Sequence, residues 1–130
     1  MSPEAYVVVL IGGFFGGICR FFVSVVVAQR VGLTFPWGTL VVNVSGAVVI
    51  GAFAGAARSS GGVLASDLLH DFVAVGLCGG YTTVSSFSLH TLNLALDSEP
   101  WRAAFNVIAS AFLCFAAVAA GFYFVQWIVG

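Results

Sequence analysis

Gly79-Gly80-Tyr81-Thr82-Thr83-Val84-Ser85-Ser86-Phe87-Ser88 interrupts a long apolar stretch with glycines and hydroxyls, where a lipid-embedded helix ordinarily carries leucine and valine. In hydrocarbon, backbone freed by such an interruption is tolerated only where protein or a polar cavity receives it. The cluster therefore implies a site, or a path, inside a membrane.

The rest of the chain agrees. Of its 130 residues 61% are hydrophobic and 7% charged, and all four basic side chains are arginines. That balance cannot clothe a water-facing surface. At about 20 residues per crossing there is room for about four spans and little else, so residues 1–130 read as a single transmembrane domain of the all-α class. The net charge of -1 offers no hold for nucleic acid or for a polybasic lipid anchor. Cys19, Cys78 and Cys114 each fall inside an apolar run without paired spacing, which points to buried thiols rather than disulfide or zinc ligands. The opening Met-Ser-Pro-Glu lacks the basic region of a secretory leader, so the first apolar run is expected to remain as a span.

Punctuation sets the spans at about residues 5–29, 36–57, 68–96 and 101–127. Gly32 to Pro36 turns the chain after the first, Arg58-Ser59-Ser60-Gly61-Gly62 after the second, and Asp97-Ser98-Glu99-Pro100 after the third. Small residues four apart, Gly12 with Gly16, Gly13 with Gly17, and Ala47 with Gly51 and Gly55, allow helices to approach closely. Tyr6, Trp37, Trp101, Tyr123 and Trp127 lie near span ends, where amphipathic rings favour the membrane interface.

Within the third span the apolar segments on either side of residues 79–85 are each about 11 residues, or roughly 16 Å of helix, half a bilayer. A break at 79–85 is therefore expected near the midplane. Its freed carbonyls suit a small hard cation such as sodium, and the amides opening the next half-helix suit an anion. A kinked helix whose hydroxyls bond to its own backbone is the plainer alternative.

Depth sorts the remaining polar residues. With the amino terminus on side A, Arg20, Asn43, Asn106, Ser110, Ser86, Phe87, Ser88 and His90 all fall toward side B, whereas Ala47 to Ala57 and Ala116 to Phe122 leave the A half apolar. One chain lines half a path, and a complete one needs an inverted second copy. The arginines permit inversion, since Arg58 lies on side A and Arg30 and Arg102 on side B, which gives the positive-inside rule little to act on. An antiparallel, dual-topology homodimer is the expectation.

Three motifs in order, Gly12-Gly13-Phe14-Phe15-Gly16-Gly17-Ile18-Cys19-Arg20, Gly38-Thr39-Leu40-Val41-Val42-Asn43-Val44-Ser45-Gly46 and Gly76 to Ser88, resemble the Fluc family of fluoride channels, also called CrcB. The resemblance covers essentially the whole chain. It implies a multi-pass protein of the bacterial inner membrane with two fluoride paths, and a central sodium ion held by the backbone carbonyls of Gly79 and Thr82 from both copies. It implies further that Asn43 donates to fluoride, that Phe87 meets it with its ring edge, and that Asn106 and Ser110 continue a polar track. Thr83, Val84 and Ser86 complete the lining, with Arg20 and His90 at the vestibule or in structural roles. Val84 stands where the family usually has phenylalanine, and His90 where an acidic residue is common.

No nucleophile, base and orienting group fall together, so catalysis is not expected. A dual-topology multidrug exporter would need a membrane-buried carboxylate, yet Glu4, Asp67, Asp71, Asp97 and Glu99 all lie near span ends or loops. Val84 leaves room for a subunit that depends on a different partner.

Overall fold

A computed structural model describes residues 1–130, in which every regular element is helical. Helix α1 (Pro3–Val31) is capped by Ser2, whose hydroxyl accepts the Ala5 amide at 3.2 Å, and ends at Gly32, whose φ of 103° favours glycine. Helix α2 (Trp37–Ser60) stops at Gly61 and Gly62, both with φ of 59°, which lead into a 3-10 turn at Gly62–Ala65. The third crossing is composite. It comprises α3 (Asp67–His70), capped by Ser66, a π-helical stretch Asp71–Cys78, then α4 (Gly79–Tyr81) and α5 (Ser85–Leu96). Helix α6 (Pro100–Val129) returns across.

Four helical stretches, Pro3–Val31, Trp37–Ser60, Asp67–Leu96 and Pro100–Val129, are long and apolar enough to cross a membrane. The exterior matches that solvent: only 20 of 130 residues are buried, so most large apolar side chains face outward. Trp101, Tyr123 and Trp127 near the helix ends are among them.

Two features differ from the sequence reading. The interruption was expected over residues 79–85, but Gly79 and Gly80 are helical, and only Thr82, Thr83 and Val84 lie outside helix. Gly80 serves packing instead: a Cβ on it would sit 2.5 Å from the Gly13 carbonyl, whereas one on Gly79 would meet only the Ala74 carbonyl at 3.9 Å. The second is the π-helix, for which the sequence carries no signal.

Packing within the chain rests on backbone approaching backbone. Helix α1 lies along the π-helical stretch and α4 through Gly12, Gly16, Gly76 and Gly80, while α2 and α6 form the most extensive pair. In that pair Gly55 faces the Phe122 carbonyl, Gly51 that of Val118, and Gly121 that of Val48. Without a hydrophobic drive between helices in lipid, such approaches supply the contact. Gly17 meets nothing within 4 Å, so the Gly13–Gly17 pair is used only at Gly13. Cys78 is buried as expected, but Cys19 points outward and Cys114 is half-buried, all three being free thiols. The one cluster of buried apolar side chains, Phe35, Leu40, Leu94 and Ala103, closes the end near side B.

Gly51→Ala or Gly121→Ala pushes a methyl into a facing carbonyl and forces α2 and α6 apart. Each is expected to destabilise by about 1–3 kcal/mol, read as loss of the folded peak in a thermal series by detergent size-exclusion chromatography.

Candidate functional site

Between α4 and α5, Thr82 still donates to the Cys78 carbonyl at 2.9 Å and Val84 still accepts from the Ser88 amide at 2.8 Å, whereas the Thr83 backbone bonds along neither helix, and one side chain from α2 replaces what it lacks. The Asn43 carboxamide oxygen accepts the Thr83 amide at 2.8 Å, and its Nδ2 donates to the Thr83 carbonyl at 2.9 Å. Asparagine presents one acceptor and two donors, so this pairing leaves one N–H for a ligand. Thr83 in turn caps α5, its hydroxyl accepting from the Ser86 amide at 3.2 Å and lying 3.1 Å from the Ser85 hydroxyl. The amides of Ser85 and Phe87 find no backbone acceptor, an arrangement that presents partial positive charge at a helix start.

The carbonyl side of the interruption is equally open. Those of Gly79, Gly80 and Tyr81 accept no backbone hydrogen bond, because the next turn of helix is missing. The Thr82 carbonyl accepts only from Arg20, whose Nη1 lies 3.5 Å away. The Thr82 hydroxyl bonds back to the Cys78 carbonyl at 2.9 Å, and Tyr81 meets Ser45 at 2.8 Å, fastening α4 to α2. Unpartnered carbonyls at a helix C-terminus are the donor type that a hard cation such as sodium takes. Gly79 and Thr82 fit that role, but two carbonyls are too few for one ion, and the Arg20 guanidinium already leans on one of them.

A polar line joins α5 to α6. Ser110 Oγ donates to the side-chain oxygen Oδ1 of Asn106 at 3.5 Å, Asn106 Nδ2 to Thr91 Oγ1 at 2.9 Å, and Thr91 Oγ1 to the Phe87 backbone carbonyl at 2.8 Å. Asn106 and Ser110, one turn apart, are both buried. Thr91 is the relay that the sequence reading missed. It stands one helical turn after Phe87, a spacing that places it on the same side of α5.

A groove of about 400 Å³ beside the interruption is lined by Asn43, Thr82, Thr83, Val84, Gly79 and, from α6, Cys114, with other residues of α2 and the third crossing. Asn43, Thr83, Val84, Gly79 and Thr82 are thus brought together there. Phe87, Ser86, Asn106 and Ser110 are outside that lining, and His90 lies nearer side B, 3.1 Å from Thr39. Val84 is 76% exposed and Ser85, Ser88 and Gly79 are exposed beside it, a polar patch halfway along the third crossing.

A family described as CrcB-like protein, Camphor Resistance, matches residues 7–122. The chain belongs to the CrcB family. Among similar CrcB-type proteins, Fluoride-specific ion channel FluC 4 of Brucella abortus is 57% identical over 129 residues, covering 99% of this chain and 97% of that protein. FluC 3 of Brucella suis is 56% identical over 129 residues with the same coverage. FluC 2 of Rhodopseudomonas palustris is 51% identical over 114 residues, covering 88% and 87%. Membership in the CrcB family and four apolar crossings make this a multi-pass protein of the bacterial inner membrane.

Two substitutions separate scaffold from line. Asn43→Ala removes both bonds to Thr83 and is expected to lower stability by about 1–3 kcal/mol in reversible unfolding in detergent. Thr91→Val, which keeps shape and removes the relay, is expected to leave stability within about 1 kcal/mol, the usual worth of one interhelical hydrogen bond in a bilayer.

Proposed function

We propose that the chain forms a fluoride-selective channel as an antiparallel homodimer, with its two-fold axis in the membrane plane near Thr82–Val84, two ion paths and a sodium ion between the copies. The inequality of its two halves carries this reading. Toward side B lie the Asn43–Thr83 pair, the Ser110–Asn106–Thr91 line, Arg20 and His90. Toward side A, α2 and α6 press backbone against backbone at Gly51, Gly55 and Gly121. One chain therefore offers half a path. An inverted copy supplies the other half and also covers the exposed polar patch around Val84, which lipid would not tolerate.

Fluoride is supported as the permeant by the CrcB membership and by the similarity to proteins named fluoride-specific ion channels. The chemistry agrees. A small, tightly hydrated anion enters a narrow path only where fixed donors replace its water. The free N–H of Asn43, the amides opening α5, the Phe87 ring edge and the donors of Asn106 and Ser110 are of that kind, with Ser86 and Thr83 beside them. None carries a full charge that would trap the ion. Flow is passive, outward under a negative-inside potential. Sodium, when bound, supplies positive charge beside the carbonyls that α4 leaves unpartnered; Gly79 and Thr82 of each copy would hold it. The 76% exposure of Val84 also favours a second reading, in which the copy that covers it is a different CrcB chain.

The test is fluoride efflux from liposomes that contain this polypeptide alone, with chloride as control. Fast fluoride loss with chloride retained supports a self-sufficient channel; no loss supports the mixed assembly. Phe87→Ala is expected to slow efflux at least tenfold while the dimer stays intact on size-exclusion chromatography, a loss of about 1.4 kcal/mol at the barrier. Accessibility labelling of cysteines placed at residues 30 and 58 is expected to find both positions on both faces. A single fixed orientation in all molecules sinks the antiparallel arrangement.

A further inference from the structure

A second cavity lies away from the interruption. About 720 Å³ in volume, it opens at side B between α1, the turn at residues 32–36, α5 and the start of α6. Its lining includes Thr39, His90, Asp97, Glu99 and Arg102. Nothing in the conduction argument above uses the imidazole of His90.

The contact with Thr39 fixes which nitrogen of His90 is free. Thr39 Oγ1 lies 3.1 Å from His90 Nδ1. Nε2 has no protein partner, and no buried side-chain nitrogen is left without one, so Nε2 is the nitrogen left for a ligand on the cavity side. The protonated ring carries a hydrogen on both nitrogens and so offers an anion an Nε2–H with a charge behind it.

The surrounding charge sharpens the difference. Two carboxylates, Asp97 and Glu99, face one guanidinium, Arg102, which is 3.3 Å from Glu99 and 3.2 Å from the Thr34 carbonyl. No titratable group reaches the cavity from α1, from α2 or from the turn at 32–36. With His90 neutral the mouth thus carries one excess negative charge, and protonation cancels it. A mouth lined by one sign of charge repels ions of the same sign and lowers their local concentration.

We propose that His90 is an anion-capture residue at the side-B mouth, taking fluoride on Nε2–H, and that protonation of its ring increases entry. This rests on the fluoride reading given above. Histidine is the side chain that changes charge in the mildly acidic range, the condition under which hydrogen fluoride forms outside a cell and crosses lipid uncharged.

Two measurements decide it, chosen so that one does not need conduction. In liposomes with equal pH on both sides, and with leak from protein-free vesicles subtracted, wild-type fluoride efflux is expected to rise about threefold or more from pH 7.5 to 5.5. His90→Gln, which keeps an N–H donor but cannot charge, is expected to show no rise. In detergent, the Cε1 signal of ¹³C-labelled His90 is expected to titrate at higher pH in sodium fluoride than in sodium chloride, because a ligand that prefers the protonated form raises its midpoint. A rise retained in His90→Gln, a wild type without one, or equal midpoints in the two salts overturns the proposal. Should the wild type pass no fluoride at either pH, the channel reading fails and the midpoint comparison alone decides whether His90 captures the ion.

Discussion

A peptide group in hydrocarbon must find a hydrogen-bond partner, and the chain meets that demand at its weakest point with one side chain. Thr82, Thr83 and Val84 lie outside helix halfway along the third crossing, and Asn43 returns both a donor and an acceptor to Thr83. With that pair in place α5 can start afresh, its first amides turned toward whatever occupies the interruption, while α4 ends with open carbonyls. The same three residues thus expose anion-seeking and cation-seeking backbone within a few ångströms of sequence. A continuous helix would have consumed both sets internally.

The helices hold this arrangement by two kinds of contact that divide the membrane between them. Toward side A, α2 and α6 meet glycine against carbonyl at close range. Toward side B, side chains of α2 and α6 hydrogen-bond to α5 and to the backbone of Thr83, beside a further glycine approach at Gly38. Close packing and a polar lining exclude each other at a given depth, since backbones in contact leave no room for an ion. This asymmetry is the observation from which we propose an inverted partner.

Much of this was legible in the residues. Four apolar stretches separated by turn signals correspond to four helical crossings, and the small residues at Gly12, Gly16, Gly51 and Gly55 pack as their spacing suggests. Of the polar side chains singled out by depth, Asn43 and Asn106 make bonds that link one crossing to another, and Ser110 bonds to Asn106 within α6. Other features were not legible. Gly79 and Gly80 looked like a break because glycine is permissive, yet both are helical, and what the missing side chain permits at Gly80 is the approach of α1. Thr91, Thr39, Ser45 and Tyr81 carry interhelical bonds that no local pattern announces.

Composition and spacing alone determined that this chain lives in lipid, crosses it four times and concentrates its polar groups in one half, because partition into hydrocarbon is summed residue by residue and needs no neighbours. Tertiary structure decided which of those groups meet: that Asn43 closes on Thr83, that the helix is interrupted at three residues rather than seven, and that His90 turns its free nitrogen to a cavity. Those outcomes depend on directions and distances between helices, and hydrogen bonds between residues 40 or 50 positions apart have no counterpart in local sequence.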